Sequence, residues 1–390
     1  MKQIFTDLSQ WLILHQQHWR FSAFSHACNG TQPDSSIVAH LQELNEQEIS
    51  DFKHNLQAAN AFFSQWLPDI ARLQHWAPTS NIATEHIEQI DGIPGRKLAQ
   101  IHHFSRLATR TCDKLPWLEW CAGKGYLGQF LSSRTSQSVT SLEFQAALCQ
   151  QGQQLAHQRQ LPMTFHQCDV LSAQSSHYVE AHQHAVALHA CGDLHQRLIE
   201  LAVEAGTQAI SIAPCCYHLT ASNTYFPLSR VAQQYDLRLN RDELRIPLTT
   251  TVTGGERVRR SRQQEMSFRL GLDRVLRDHC GRDKYIPIPS IKKSLLQRGF
   301  EDFCRWAIEQ KELHLPSNVD WLRYQEIGEK AFWQMERYDL LQQVFKQPLE
   351  WWLIYDKALY LSESNYQVDV SMFCDYQITP RNYLIRARLV

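Results

Sequence analysis

Apolar positions along this chain change period several times, and the changes divide it into regions. Over residues 1–112, Phe5, Leu8, Trp11, Leu12 and Leu14 recur at helical spacing, and so do Phe52, Leu56, Phe62, Phe63 and Trp66. This predicts an N-terminal helical domain. Over 113–214 the texture shifts to short apolar runs between amphipathic stretches, the pattern of βαβ units around a parallel sheet. Strands are expected at 116–121, 138–143, 163–168, 185–189 and 208–213. Helical spacing returns over 215–345, in a stretch rich in Arg, Gln and aromatic residues with breaks at Gly254-Gly255 and Pro287-Ile288-Pro289. Residues 346–390 read as a helix over 346–363, an alternating strand from Tyr366 to Cys374, a turn at Thr379-Pro380 and a last strand from Asn382 to Leu389. The expected fold is α/β, built from 113–214 and 346–390, with the 215–345 segment as a large helical insertion between strands five and six.

Composition narrows the class without naming a partner. With 390 residues the chain exceeds what one hydrophobic core usually organises. Its 43% hydrophobic and 20% charged residues and net charge of -1 are those of an ordinary globular protein, so a nucleic-acid surface would have to be local. The eleven cysteines follow no small secreted framework, and the N-terminus lacks a signal-peptide layout, which leads us to expect a reducing cytoplasm. The longest apolar runs, Trp11–Leu14 and Trp351–Tyr355, fall far short of the roughly 18 to 20 residues of a membrane span, so no membrane partner is expected. The sequence does not speak to oligomeric state.

The chemistry begins where the first expected strand, Trp117-Leu118-Glu119-Trp120-Cys121-Ala122, runs into Gly123-Lys124-Gly125-Tyr126-Leu127-Gly128 and then a helix. Glycines there let backbone amides approach a ligand, and the helix N-terminus favours negative charge. That pattern also fits a dinucleotide fingerprint. Glu143 ends the second strand about twenty positions on, placed to accept from ribose hydroxyls, which NAD and S-adenosylmethionine sites share. Two residues separate them: Glu119, inside the strand, is suited to neutralising a methionine ammonium, and Asp169, in Cys168-Asp169-Val170, to accepting from an adenine amino group. NAD sites need neither, and together with the C-terminal strand hairpin this favours a Rossmann-like seven-stranded methyltransferase sheet over a dehydrogenase. The candidate cofactor residues are Glu119, Cys121, Ala122, Gly123, Gly125, Leu127, Glu143, Asp169, Val170, His189 and Cys191, and the expected cofactor is S-adenosyl-L-methionine.

Glu119–Gly128, Leu188-His189-Ala190-Cys191-Gly192-Asp193-Leu194, Pro214-Cys215-Cys216-Tyr217 and Thr379-Pro380-Arg381-Asn382 resemble the signatures of the methyltransferase-like 25 family, a branch of the class I methyltransferases. The first three are also similar, more distantly, to eukaryotic tRNA 2′-O-methyltransferases. The resemblance covers the catalytic domain and implies S-adenosylmethionine-dependent methyl transfer. The chain departs from the broader pattern at Cys121, which stands where a glycine is usual, and it lacks the zinc-finger cysteine set of the tRNA enzymes.

Methyl transfer from a sulfonium needs an in-line nucleophile and exclusion of water. The fourth and fifth strands deliver His189, Cys191 and Asp193, and Cys215, Cys216, Tyr217 and His218, to the carboxyl edge where open α/β sheets bind ligands. Asp193, Cys215, Cys216, Tyr217 and His218 are the candidate catalytic residues. Asp193 or His218 would serve as general base, although Asp193 equally suits capping of the helix that follows. Cys215 and Cys216 admit three readings: packing around the cofactor, covalent attack on a pyrimidine, or metal binding with His189, Cys191 and His218. Packing suits the residue type best, so no metal ligand is assigned. Over 238–298, Arg238, Arg241, Arg245, Arg257, Arg259, Arg260, Arg262, Arg269, Arg274, Arg277, Arg282, Lys284, Lys292, Lys293 and Arg298 outnumber acids about two to one, a basic patch suited to RNA phosphates. Against this, Glu256, Glu265 and Asp273 are spaced to pair with arginines on a solvated helix face. RNA is the expected acceptor. The alternatives are a protein or small-molecule acceptor and a non-catalytic scaffold.

Overall fold

Eight strands form one sheet: β1 (Thr79–Ser80), β2 (Trp117–Trp120), β3 (Val139–Glu143), β4 (Met163–Gln167), β5 (His184–Cys191), β6 (Ala209–Cys215), β7 (Tyr366–Met372) and β8 (Tyr383–Leu389). This computed structural model describes residues 1–82, 94–112, 114–235, 237–248, 256–316 and 318–390. The strand order is β1-β7-β8-β6-β5-β2-β3-β4. Strands β2 to β6 run parallel, and β8 is antiparallel to both β6 and β7. Without β1 this is the expected seven-stranded sheet, and each expected strand lies within or beside an observed one. The order reverses between β2 and β5, which places a crevice beyond their carboxyl ends. The two-residue β1, parallel to β7, is an addition that the sequence does not announce, because so short a segment carries no period.

Strands β2 and β6 are buried along their whole length, as expected of strands covered on both faces. One covering helix is Gly95–Thr111, whose Ile101, Phe104 and Leu107 join Trp117, Leu131, Val139, Val186, Phe373 and Leu384 in a single core. Burying each such side chain contributes roughly 1.5–3 kcal/mol.

Two compact units divide the chain. Met1–Ile13, Arg72–Leu248 and Pro348–Val390 form the first, with the sheet; Leu14–Ala71 and Thr249–Gln347 form the second. These limits differ from the expected ones at 112, 214 and 345. Periodicity shows that a helix has an apolar face but not what the face packs on, so 72–112 and 215–248 carry helical or irregular sequence yet belong to the sheet's unit. The helix expected over 346–363 is the end of a continuous helix, Trp321–Glu363, that contains Pro348. Proline removes one backbone bond but does not stop a helix whose flanking residues are buried, as Leu349, Trp352 and Leu353 are. Within the first helix, Lys2–Leu14, the apolar stripe is buried except at Leu14, which is 64% exposed.

The second unit is helical. Phe268, Leu272 and Leu276 of Glu256–Cys280 pack with Phe300 and Phe303 of Phe300–Gln310 and with Tyr324. Gly271 and Gly328 let two helices meet closely: a Cβ on Gly328 would lie 2.3 Å from the Ser267 carbonyl oxygen. Pro287–Pro289 lies in a break after Cys280, as expected, and Gly254-Gly255 lies outside the described residues. No described helix is long and apolar enough to cross a membrane.

Candidate cofactor and catalytic site

After β2 the chain turns through Cys121, Gly123 and Gly125, with φ of 56°, 61° and 69°, into the helix Tyr126–Thr135. Left-handed backbone suits glycine; Cys121 adopts it with a side chain in place, at a cost of roughly 1–2 kcal/mol. At Gly125 a side chain would also collide, since its Cβ would lie 2.3 Å from Phe165 Cζ. Ala122 closes the turn, accepting from the Gly125 N–H at 2.9 Å.

Glu143 ends β3 beside this loop. Its Oε2 accepts from the Gly123 N–H and its Oε1 from the Gln145 N–H, each at 2.9 Å. A carboxylate accepts about four hydrogen bonds, so both oxygens keep capacity for ribose hydroxyls. Asp169 is exposed, with Oδ1 accepting from the Leu171 N–H at 3.0 Å. Val170 and Leu127 are buried, the latter in the sheet's core, so both support the site by packing; neither forms an open wall. Phe144 and Leu171, 68% and 51% exposed, project beside the two acids as apolar surface fit for a flat aromatic ligand. Sequence reasoning passed over both. The available signal was a large apolar residue just beyond an acid at a strand's carboxyl end.

Glu119 corrects an expectation. Its side chain is 3% exposed, its Oε2 accepts from Ser141 Oγ at 2.9 Å, and that oxygen would lie 2.5 Å from a Cβ on Gly128. Burial pushes its carboxyl up to about 7, against the hydrogen bonds from Ser141 and the Gly128 backbone. An enclosed carboxyl of this kind orders the glycine loop from beneath and does not meet a ligand's ammonium.

The other half of the edge lies beyond β5 and β6. A register irregularity between Leu188 and Cys191 accompanies His189 at φ 64°. Its ring Nε2 bonds Gln100 Oε1 at 2.8 Å, and burial, reinforced by Arg381, lowers its pKa to about 4. Sequence reasoning missed both partners; Arg381 stands in the Thr379–Asn382 motif but was given no role. Asp193 follows the N-cap residue Gly192, so its carboxylate does not cap its own helix, and it stands at the wall of a cleft. Its Oδ2 accepts from the Ala221 N–H at 2.7 Å, while its N–H donates to the Leu219 carbonyl at 3.0 Å, which fastens the loop after β6. That bond gives Asp193 a positioning role for the loop, and its other lone pairs keep their capacity to accept.

Cys191 and Cys215 face each other across β5 and β6 with sulfurs 3.5 Å apart, and Cys216 brings a third sulfur within 4.8 Å of both. The hydrogen bond from Cys215 draws the Cys191 thiol down to about 6, burial opposes this, and Cys216 and Arg381 add to it. The Cys215 thiol, donor to Cys191 and buried, is pushed up, and burial raises Cys216 as well. The pull on the Cys191 thiol is thus downward and that on Cys215 and Cys216 upward, where the sequence pointed to Cys215 or Cys216 as the attacking thiol.

Tyr217 is also corrected. It is 3% exposed, edge-on to His195 with centroids 5.9 Å apart, and Lys357 Nζ lies 5.5 Å above its ring. Lys357 is itself buried, donates to Tyr225 Oη at 2.9 Å, and has its pKa lowered to about 8 by burial. Tyr217 thus belongs to a buried network beneath the edge. His218 is half-buried, and its Nδ1 has no hydrogen-bond partner among the described residues. Burial, then Arg245, lowers its pKa. Next to these loops, Leu171, Asp193, Arg197, Thr220, Tyr225 and Phe226 line part of a cleft of about 300 Å³.

The family model of a methyltransferase domain matches residues 96–223, a third of the chain. No curated protein sequence matches the chain. Among solved structures, a geranyl diphosphate methyltransferase in complex with GPP and sinefungin is 13% identical over 43% of this chain and 64% of its own, with a TM-score of 0.27. The sugar N-methyltransferase KedS8 from Streptoalloteichus is 13% identical over 35% and 58%, with a TM-score of 0.24. The cyclase SpnF is 12% identical over 39% and 58%, with a TM-score of 0.25. The chain spans less than two thirds of each of these proteins. Residues 96–223 thus match a methyltransferase-domain model, and the strand order around them is that of a Rossmann-like sheet.

Proposed function

We propose that this protein transfers a methyl group from S-adenosylmethionine, bound across the crevice between β2 and β5, with RNA as the acceptor class. The observation that carries the methyl-donor reading is Glu143: it accepts from the Gly123 amide of the loop and keeps lone pairs for a ribose. In this reading Phe144 and Leu171 enclose the adenine, Asp169 accepts from its amino group, and His189 and Cys191 approach the sulfonium. The resemblance to the methyltransferase-like 25 family agrees with it.

The RNA reading draws on Arg257, Arg282, Lys284, Lys292 and Lys293, all exposed and in no ion pair among the described residues. Other members of the basic set are engaged: Arg260 with Glu256, Arg269 with Glu265, and Arg277 with Asp273 are helical pairs, and Arg245, Arg262, Arg274 and Arg298 also meet carboxylates. This pairing reduces the charge left for phosphates. A second reading, a small-molecule acceptor, is favoured by the cleft of about 300 Å³, at the lower end of the range for small-molecule sites.

Calorimetric titration tests the donor: micromolar binding of S-adenosylmethionine and S-adenosylhomocysteine, with none of NAD, is expected, and no binding of the first two overturns it. Labelled donor incubated with fractionated RNA, protein and metabolites then identifies the acceptor. A steep loss of RNA affinity with salt accompanies the RNA reading, and label only in metabolites the second.

A further inference from the structure

We propose that Cys191, Cys215 and Cys216 form a three-thiolate site for one thiophilic divalent cation of the zinc class. The three sulfurs lie within 4.8 Å of one another, and the closest pair is 3.5 Å apart. Zinc–sulfur bonds of ~2.3 Å at tetrahedral angles separate sulfurs by about 3.8 Å, so shifts of less than an ångström bring this set to bonding geometry.

The backbone makes this convergence. Consecutive residues of a strand point to opposite faces, so Cys215 and Cys216 would ordinarily place their sulfurs apart. At Cys216 the φ of 48° ends the alternation and returns its sulfur to the side of Cys215. Cys191 is the register partner of Cys215 immediately after the irregularity in β5. Packing alone would not call for left-handed backbone at a non-glycine residue, nor leave Cys191 and Cys216 half-exposed. An odd number of sulfurs also leaves one unpaired in any disulfide.

Three thiolates around a divalent ion carry one net negative charge. Arg381, electrostatically coupled to both Cys191 and Cys216, offsets it. Binding displaces three thiol protons to solvent and involves no redox step. The partial exposure of Cys191 and Cys216 leaves a fourth coordination position for solvent or a soft ligand, the arrangement of a reactive and not a purely structural centre. The ligands stand on β5, at the end of β6 and just after it, so their convergence does not rest on what the glycine loop binds; Cys191 is the one residue shared with the methyl-donor reading.

Cadmium titration of the full chain, purified under reducing conditions and freed of metal, tests the proposal. One equivalent is expected, with a sulfur-to-cadmium ultraviolet band and with Cys191 and Cys216 no longer open to a thiol reagent. Cys191→Ser and Cys216→Ser should each weaken binding at least a hundredfold, and Cys112→Ser, away from the cluster, should leave it unchanged. Absence of cadmium binding by the folded protein, or binding unaltered in Cys191→Ser, overturns the site; so does a Cys191–Cys215 disulfide that forms under mild peroxide equally well with cadmium present. S-adenosylmethionine titration of the same variants reads the donor site separately.

Discussion

Beyond β2, β3 and β4 the sheet edge is organised by backbone amides, whereas beyond β5 and β6 it is organised by side chains. In the first region Gly123, Gly125 and the Gln145 amide shape a concave, amide-rich loop around one carboxylate. In the second, three sulfurs converge through a strand irregularity and non-glycine residues with positive φ, while Asp193 holds the loop after β6 and His189 bonds Gln100. A backbone-built surface accommodates a ligand shared by many proteins, because amides are present in every sequence. A side-chain-built surface is where a particular chemistry can differ. On the proposed reading, the nucleoside half of the cofactor falls to the first region and acceptor selectivity to the second.

The contrast can be broken hardest at Gly192, which joins the two kinds of construction. Its φ of 56° and ψ of -126° suit glycine alone, and an added Cβ would lie 1.8 Å from the Leu219 carbonyl oxygen. Gly192→Ala should cost about 3 kcal/mol or more and release the loop after β6, as read by urea unfolding. A near-neutral variant would mean that this loop is not held where the Asp193 bonds place it.

Glu119 sharpens the contrast next, as a buried carboxyl beneath the amide-built loop. Its pKa of about 7 when folded, against 4.5 for an unperturbed glutamate, means that the folded state holds the proton more tightly. Its contribution is full below pH 4.5 and declines as pH rises to about 7, by roughly 3 kcal/mol. Glu119→Gln lacks that decline, so its stability relative to the parent should climb between pH 4.5 and 7 and level off above. Denaturant midpoints at four pH values check this, and a constant difference would show an ionised carboxylate in place.

The smallest expected effect is on the ligand. Glu143→Ala removes charge-assisted hydrogen bonds worth roughly 1.5–3 kcal/mol, and S-adenosylmethionine affinity should fall about ten- to a hundredfold in calorimetry. Unchanged affinity in a folded variant would move the ribose elsewhere on the edge.

Much of the first region was legible in the sequence. Short apolar runs placed β2 to β6, glycine spacing marked the loop, and Glu143 followed at the expected separation. Helical i,i+4 spacing likewise foretold the pairing of Arg260, Arg269 and Arg277. The burial of Glu119 and Tyr217 was not legible, for a common reason: which side chain is enclosed, and by what, depends on elements distant in the chain. Gln100 reaches His189, and Lys357 reaches the Tyr217 ring, from helices whose sequence shows only an apolar face.

The sequence by itself determined the strands, their turns and the acids at their ends, because periodicity, glycine torsions and neighbouring spacing are local properties of a chain. Only the tertiary structure decided that Gly95–Thr111 covers the sheet, that Glu119 lies closed beneath the loop, and that Cys191, Cys215 and Cys216 share one pocket. Those outcomes depend on strand order, register and local irregularity, which bring together residues that no spacing along the sequence relates.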